Sequence, residues 1–157
     1  MKTERLRLRE INREDDTTLY EFIFRDQDVV RYTFGKDVIS EQNVYEYVKQ
    51  IGLKVIENNM TKEIIGLAGV LPCPYLGRDD YEFGFILAKK FWGLGYAGEI
   101  GKAQIEFIKN TLLKTRAVAT VYPQNFASIK CIEKLGLKYE TTVSTDRGER
   151  LVYLIEF

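Results

Sequence analysis

Phe91-Trp92-Gly93-Leu94-Gly95-Tyr96-Ala97-Gly98 joins an apolar run, Tyr81 to Ala88, to a helix-patterned one, Tyr96 to Asn110. A glycine-rich turn between a strand and a helix does two physical things. It lets the backbone approach a neighbour closely, and it leaves the unpaired N–H groups of the helix start pointing outward. Gly93, Gly95 and Gly98 spell GxGxxG, but the dinucleotide fingerprint also needs an acid about 20 residues on. Thr111 to Ala119 holds none; after Glu106 the next acid is Glu133. The motif also lies past the middle of the chain, too late for a six-strand doubly wound sheet. A Walker A loop fails as well, because Lys102 is followed by Ala103 and Tyr96 stands where the first glycine belongs. Two readings stay open. The turn serves close packing alone, or it is a main-chain anion cradle suited to a pyrophosphate, with Lys89 and Lys90 adding positive potential.

Working outward, Leu6, Leu8 and Ile11 alternate with Arg5, Arg7 and Arg9, as in a half-buried strand. Asn12 offers a helix N-cap, and Leu19, Phe22 and Ile23 a helical stripe. Ser40 is a second N-cap for Val44, Tyr47, Val48 and Ile51, with Gly52 at the C′ position. Leu53–Glu57 and Glu63–Leu71 read as strands, the second broken at Pro72-Cys73-Pro74. Tyr81 to Ala88 is apolar on both faces except for Glu82, the pattern of a central strand. A helix with Ile100, Ala103, Gln104, Phe107 and Ile108 in its stripe follows. Next come an apolar strand from Ala117 to Tyr122, a short helix from Ala127 to Leu135, and two strands around the turn Asp146-Arg147-Gly148. The order β-α-α-β-β-β-α-β-α-β-β predicts a mixed α/β (α+β) sheet with helices on its faces, in one domain over 1–157.

The 157 residues include 23 basic, 23 acidic, no histidine and two cysteines. Without imidazole, Ser-His-Asp and Cys-His mechanisms and most catalytic zinc or non-haem iron sites are excluded. A general base near neutral pH is then a carboxylate, lysine, tyrosine, α-amine or water. Cys73 and Cys131 read as free thiols of a reducing, cytoplasmic compartment, and no metal site is expected. Zero net charge argues against a sequence-independent nucleic-acid grip. The charged start Met1-Lys2-Thr3-Glu4-Arg5 is unlike a signal peptide, and the longest apolar run is far too short to span a bilayer. The expectation is no membrane partner and a monomer or homodimer.

A second element, Asn125-Phe126-Ala127-Ser128-Ile129-Lys130-Cys131-Ile132-Glu133-Lys134-Leu135-Gly136-Leu137, follows the strand that ends at Pro123. Alone, Asn125 reads as an N-cap and Gly136 as a C-cap. Together with the glycine turn, the segment resembles the GCN5-related N-acetyltransferase (GNAT) superfamily. The opening Thr3-Glu4-Arg5-Leu6-Arg7-Leu8-Arg9 and Phe91 to Ala97 resemble its RimJ/RimL-like branch of ribosomal-protein N-terminal acetyltransferases. The resemblance covers nearly the whole chain. It implies a mostly antiparallel sheet of about seven strands, flanked by about four helices and splayed between strands 4 and 5. It implies acetyl-CoA as co-substrate and an amine as acceptor, a protein N-terminus or a small molecule. Carried over by position, Trp92, Gly93, Leu94, Gly95, Tyr96 and Ala97 hold the pyrophosphate, and Phe85, Ile86 and Leu87 pair with the pantetheine arm. Asn125 contacts that arm from the other side, with Ser128 and Lys130 near the thiol or the phosphates. Trp92 stands where the superfamily often has Arg or Gln, and Ile132 where many members place a tyrosine acid.

Acetyl transfer to an amine needs a base, a polarised carbonyl and a leaving thiolate. Glu82 heads the base candidates, as the one charge on its strand and three to five residues before the pantetheine contacts. Burial would raise its pKa, and it acts directly or through water. Leu87 N–H is the oxyanion donor. For the thiolate, with an ordinary pKa of about 8.5, Ser128 ranks first among Ser128, Cys131, Tyr122 and Tyr139. Asp79 and Asp80 read as a solvated loop, or as an attraction for a cationic acceptor. Tyr20, Tyr32, Tyr45 and Tyr47 wall the acceptor groove, with more of their rings in the core than in the site. The alternative to an enzyme is an acyl-CoA-binding or regulatory module, favoured by Ile132.

Overall fold

The structure, a computed structural model, describes residues 1–34 and 39–157. Among these, seven strands form one sheet in the order β1-β2-β3-β4-β5-β7-β6. They are β1 (Leu6–Arg9), β2 (Lys54–Asn58), β3 (Ile64–Cys73), β4 (Asp80–Leu87), β5 (Arg116–Val121), β6 (Lys138–Thr145) and β7 (Gly148–Glu156). The pairs β1–β2, β2–β3, β5–β7 and β6–β7 are antiparallel. β4 and β5 are parallel and meet in one register pair, Glu82 opposite Val118. The mixed sheet expected from the sequence is therefore present, splay included. By Cα packing the chain divides into two compact units: Met1–Gly69 with Phe85–Tyr96, and Val70–Gly84 with Ala97–Phe157.

In the first unit, helices α1 (Asp16–Leu19), α2 (Gln27–Val30) and α3 (Val44–Ile51) cover a core of Leu19, Ile23, Phe24, Val44, Val48, Val55 and Leu67. A π-helical turn over Tyr20–Phe24 separates α1 from α2. The extra residue in that turn rotates the following side chains. Leu19, Ile23 and Phe24 are buried, and Phe22 from the expected stripe is exposed under the Lys90 ammonium. Ser40 precedes a 3-10 turn, Glu41–Asn43, that leads into α3, and it makes no side-chain cap bond. Gly52 ends α3 with φ 76°, as its C′ position requires. Tyr20, Tyr45 and Tyr47 pack against this core. On β1, Arg7 and Arg9 share a face, and both donate to the buried Glu57 on β2, at 2.8 and 2.6 Å.

In the second unit, α4 (Tyr96–Asn110) and α5 (Phe126–Lys134) accompany β5, β6 and β7. Cys73, Val118 and Val152 form a buried cluster with Leu76, Val143 and Leu154 against it. β3 runs through Pro72 to Cys73 instead of stopping before it. The β2 ladder ends at Ala68, so Pro72 lies beyond that partner. β4 opens at Asp80, whose carboxylate takes Nε and Nη2 of Arg116, the first residue of β5, at 2.7 and 2.6 Å. Asp79 pairs with Lys114. Asp79 is an exposed loop residue, as the solvated-loop reading has it, whereas Asp80 is buried at the start of β4. No helix among the described residues is long and apolar enough to cross a membrane.

Candidate active site

In the first unit, the end of β4 and the glycine turn form one tied structure. Ala88 N–H donates to Ile65 C=O at 2.9 Å, which holds the strand's last turn to β3. Gly66 is required there: a Cβ on it would stand 2.0 Å from the Ile86 carbonyl oxygen. A 3-10 turn over Lys89–Phe91 leads to Trp92, whose indole Nε1–H donates back to Leu87 C=O at 2.9 Å. Gly93 and Gly95 follow with φ 75° and 83°, values that L side chains resist. α4 then starts at Tyr96. A Cβ on Gly93 or Gly98 would meet nothing within 4 Å, so the surface there is open, as an anion cradle requires. Arg5 braces the turn from outside. Its Nη1 donates to Leu94 C=O at 2.9 Å, and its guanidinium lies 4.4 Å over the Tyr96 ring. Lys89 and Lys90 are less available than their positions suggest, for Lys89 pairs with Asp28 at 2.6 Å and Lys90 lies 3.9 Å from Glu63.

In the second unit, Glu82 is half-buried, and its Oε2 accepts from the Thr120 hydroxyl at 3.1 Å. Burial pushes its carboxyl above the usual range; the Thr120 bond and the positive charge of Arg150 pull in the other direction. A carboxyl raised by burial is a better base when ionised than an exposed one. Two residues along the strand, Gly84 C=O accepts Nε2 of Gln104 from α4 at 3.2 Å. Gln104 is wholly buried, and its Oε1 has no hydrogen-bond partner among the described residues.

Asn125 caps α5: its Oδ1 accepts from Ser128 N–H at 3.3 Å. That bond uses one of the two acceptor positions of the carbonyl oxygen. Ser128 is half-buried and Lys130 exposed. Ile132 is buried, so the position where many relatives carry a tyrosine faces the core. Burial pushes the Cys131 thiol up, away from an acid role near neutral pH. Tyr122 donates to Arg147 C=O, and the Arg150 guanidinium lies 3.3 Å from its ring centroid. Sequence reasoning missed Thr120, Gln104 and Arg150. Thr120 was within reach of period-2 counting once Glu82 was set opposite Val118; Arg150 and Gln104 depend on long-range packing. Among the described residues, no cluster of three or more acidic or thiol groups is placed to hold a metal ion.

β4 and β5 run parallel through the pair Glu82–Val118, and a glycine turn joins β4 to α4. The family model described as "Acetyltransferase (GNAT) domain" matches residues 5–138, and the chain belongs to that family. YkkB of Bacillus subtilis is 30% identical over 148 residues, covering 90% of this chain and 86% of its own. The N-acetyltransferase p20 of Bacillus licheniformis is 30% identical over 148 residues, covering 88% and 82%. The crystal structure of a GNAT-family acetyltransferase from Bacillus anthracis superposes with a TM-score of 0.84, at 23% identity, covering 99% of this chain and 97% of that one. The spermidine N-acetyltransferase of Vibrio cholerae, solved with CoA and spermine, gives 0.77 at 19% identity, covering 97% and 95%.

Proposed function

We propose that the chain transfers the acetyl group of acetyl-CoA to a primary amine by direct attack, with Glu82 as the base. The observation that carries this is a half-buried carboxylate, raised by burial and held by Thr120, on the strand whose far end is tied into the glycine turn. The co-substrate supplies an acetyl thioester. Main-chain N–H groups from Trp92 to Ala97, opened by the positive φ of Gly93 and Gly95, hold its pyrophosphate. Phe85, Ile86 and Leu87 take the pantetheine arm, with the Asn125 amide, Ser128 and Lys130 in support. Glu82, directly or through a water, accepts one proton as the amine nitrogen bonds to the acetyl carbon. The carbon–sulfur bond breaks with its electron pair on sulfur, Leu87 N–H holds the developing oxyanion, and Ser128 is the proton source nearest in role for the thiolate.

The resemblance of Thr3 to Arg9 and of Phe91 to Ala97 to the RimJ/RimL-like branch supports a place for peptide N-termini in the acceptor panel beside small amines. A second reading, a CoA-binding module without transfer, is favoured by one observation, the buried Ile132 in place of a tyrosine.

Acceptor-dependent thiol release with a panel of amines and peptides separates the two readings. Sustained release supports transfer, and tight CoA binding with no release on any acceptor supports the module. Glu82→Gln should lower kcat at pH 7 by on the order of 10²–10³, with acetyl-CoA affinity kept. A variant with wild-type kcat across the pH range removes Glu82 from the mechanism.

A further inference from the structure

Glu82, Thr120, Tyr122 and Arg150 come from three strands of the second unit and share one face of the sheet. Glu82 is opposite Val118; Thr120 follows Val118 at two residues along β5, and Tyr122 lies just past the end of that strand. Across the β5–β7 ladder, Thr120 pairs with Val152 and Val121 with Leu151. One step further, Tyr122 stands across from Arg150, whose guanidinium stacks on its ring. α5 lies on the opposite face, where Tyr153 donates to Glu133 at 3.3 Å and a Cβ on Gly136 would meet Ile155 at 3.1 Å.

Arg150 is half-buried and makes no ion pair among the described residues. A guanidinium partly removed from water without a carboxylate is a standing cost to the fold. Stacking engages its flat face; the N–H donors lie in the plane and match the two oxygens of a carboxylate. The two acids that open β4 are committed elsewhere, Asp80 to Arg116 and Asp79 to Lys114, so they offer no attraction to a cationic acceptor. Two strand spacings and four residue rises set the backbones of Glu82 and Arg150 about 16 Å apart. Across that span the Arg150 charge still acts on the Glu82 carboxyl.

We propose that Arg150 binds a carboxylate on the acceptor, so that the preferred substrate is an amine with a carboxylate close to it, of the amino-acid type. This deepens the acetyl-transfer reading and rests on it for the role of Glu82: Arg150 takes the carboxylate while Glu82 takes the proton of the neighbouring amine. A polycationic acceptor would set an ammonium against Arg150 and is disfavoured.

The test compares amino acids with their carboxamides, and peptides with Asp or Glu at the second position with their Asn or Gln counterparts. Thiol release is measured with acetyl-CoA, and calorimetric binding with the CoA-loaded protein. The wild type should prefer the carboxylate member by about ten- to a hundredfold, the strength of a charge-assisted bidentate contact. The first pair of arms assigns the preference to a free amino acid, the second to an acidic peptide. Arg150→Met should collapse the preference to below about threefold and Arg150→Lys should keep part of it, with circular dichroism showing that both fold. Equal use of carboxylate and amide by the wild type, or a preference that survives Arg150→Met, overturns the proposal. Carboxylate-dependent binding that Arg150→Met abolishes, with no release on any amine, upholds the anion site and refutes transfer. Release without any carboxylate preference upholds transfer and refutes the anion site.

Discussion

Replacing Thr120 with valine removes one hydroxyl and nothing else of comparable size, and the hydroxyl it removes donates to Glu82 Oε2 at 3.1 Å. Burial alone favours the protonated form of Glu82, and this bond opposes it by stabilising the charge. A hydrogen bond to a charged group is worth about 1.5–3 kcal/mol, and for two half-buried partners the lower figure applies. About 1.5 kcal/mol is a factor of about ten in proton affinity. The sign follows from the role of Glu82: the carboxylate must be ionised to accept a proton, so the acid limb of kcat/KM should move to higher pH in Thr120→Val. Measured by thiol release, the ratio of variant to wild-type kcat/KM should fall by about tenfold from the alkaline plateau to the acid limb. Ionisation of the acceptor amine is the same in both proteins and cancels from that ratio. A ratio constant across the pH range would show that Glu82 ionisation does not control the rate.

Asp80→Ala leaves the largely covered Arg116 without its bidentate partner, a loss of about 3–5 kcal/mol. For 157 residues at about 2.1 cal/mol/K each, the Tm should drop by about 9–15 °C, and a drop under about 2 °C would contradict the account. The Arg116 bond holds the Asp80 carboxyl below its usual range. Its stabilisation is therefore complete above the unfolded pKa of about 4 and is lost as pH falls, so the melts of wild type and Asp80→Ala should converge in acid. Trp92→Phe removes the indole bond to Leu87 and should weaken CoA binding by a factor of about two to ten in calorimetry; unchanged affinity would mean that the bond does not shape the cradle. Gly95→Ala adds left-handed strain of about 1–2 kcal/mol and sets a Cβ 3.3 Å from Arg5 Nη2, whereas at Gly93 the strain acts alone. KM for acetyl-CoA should rise more for Gly95→Ala than for Gly93→Ala, and the reverse order would refute the bracing role of Arg5.

What was legible in the sequence was what local chemistry decides. Gly93 and Gly95 form the glycine turn with positive φ and Asn125 caps its helix, whereas Glu82 shares its strand with Asp80, which the reading from Tyr81 left out. The seven strands came from alternation and turn residues; their splay came through a resemblance carried by two motifs. The misreadings have physical causes. A stripe of Leu19, Phe22 and Ile23 is the same string whether the turn is α or π, and only packing against Phe24 and Val48 selects the π turn that exposes Phe22. Asp80 reads as loop because its partner, Arg116, arrives from a strand after the long helix. Arg150 acquires meaning only from the β5–β7 register, which no local pattern encodes.

Trp92 is the only tryptophan in the chain. It sits within the glycine turn, 46% exposed, with its indole N–H committed to a backbone carbonyl. Indole emission responds to both solvent contact and hydrogen bonding, so the protein carries an optical reporter of its own at that turn. A titration with CoA can be followed through that single fluorophore without a label, and its rapid-mixing trace would time the arrival of the co-substrate separately from the chemistry that follows.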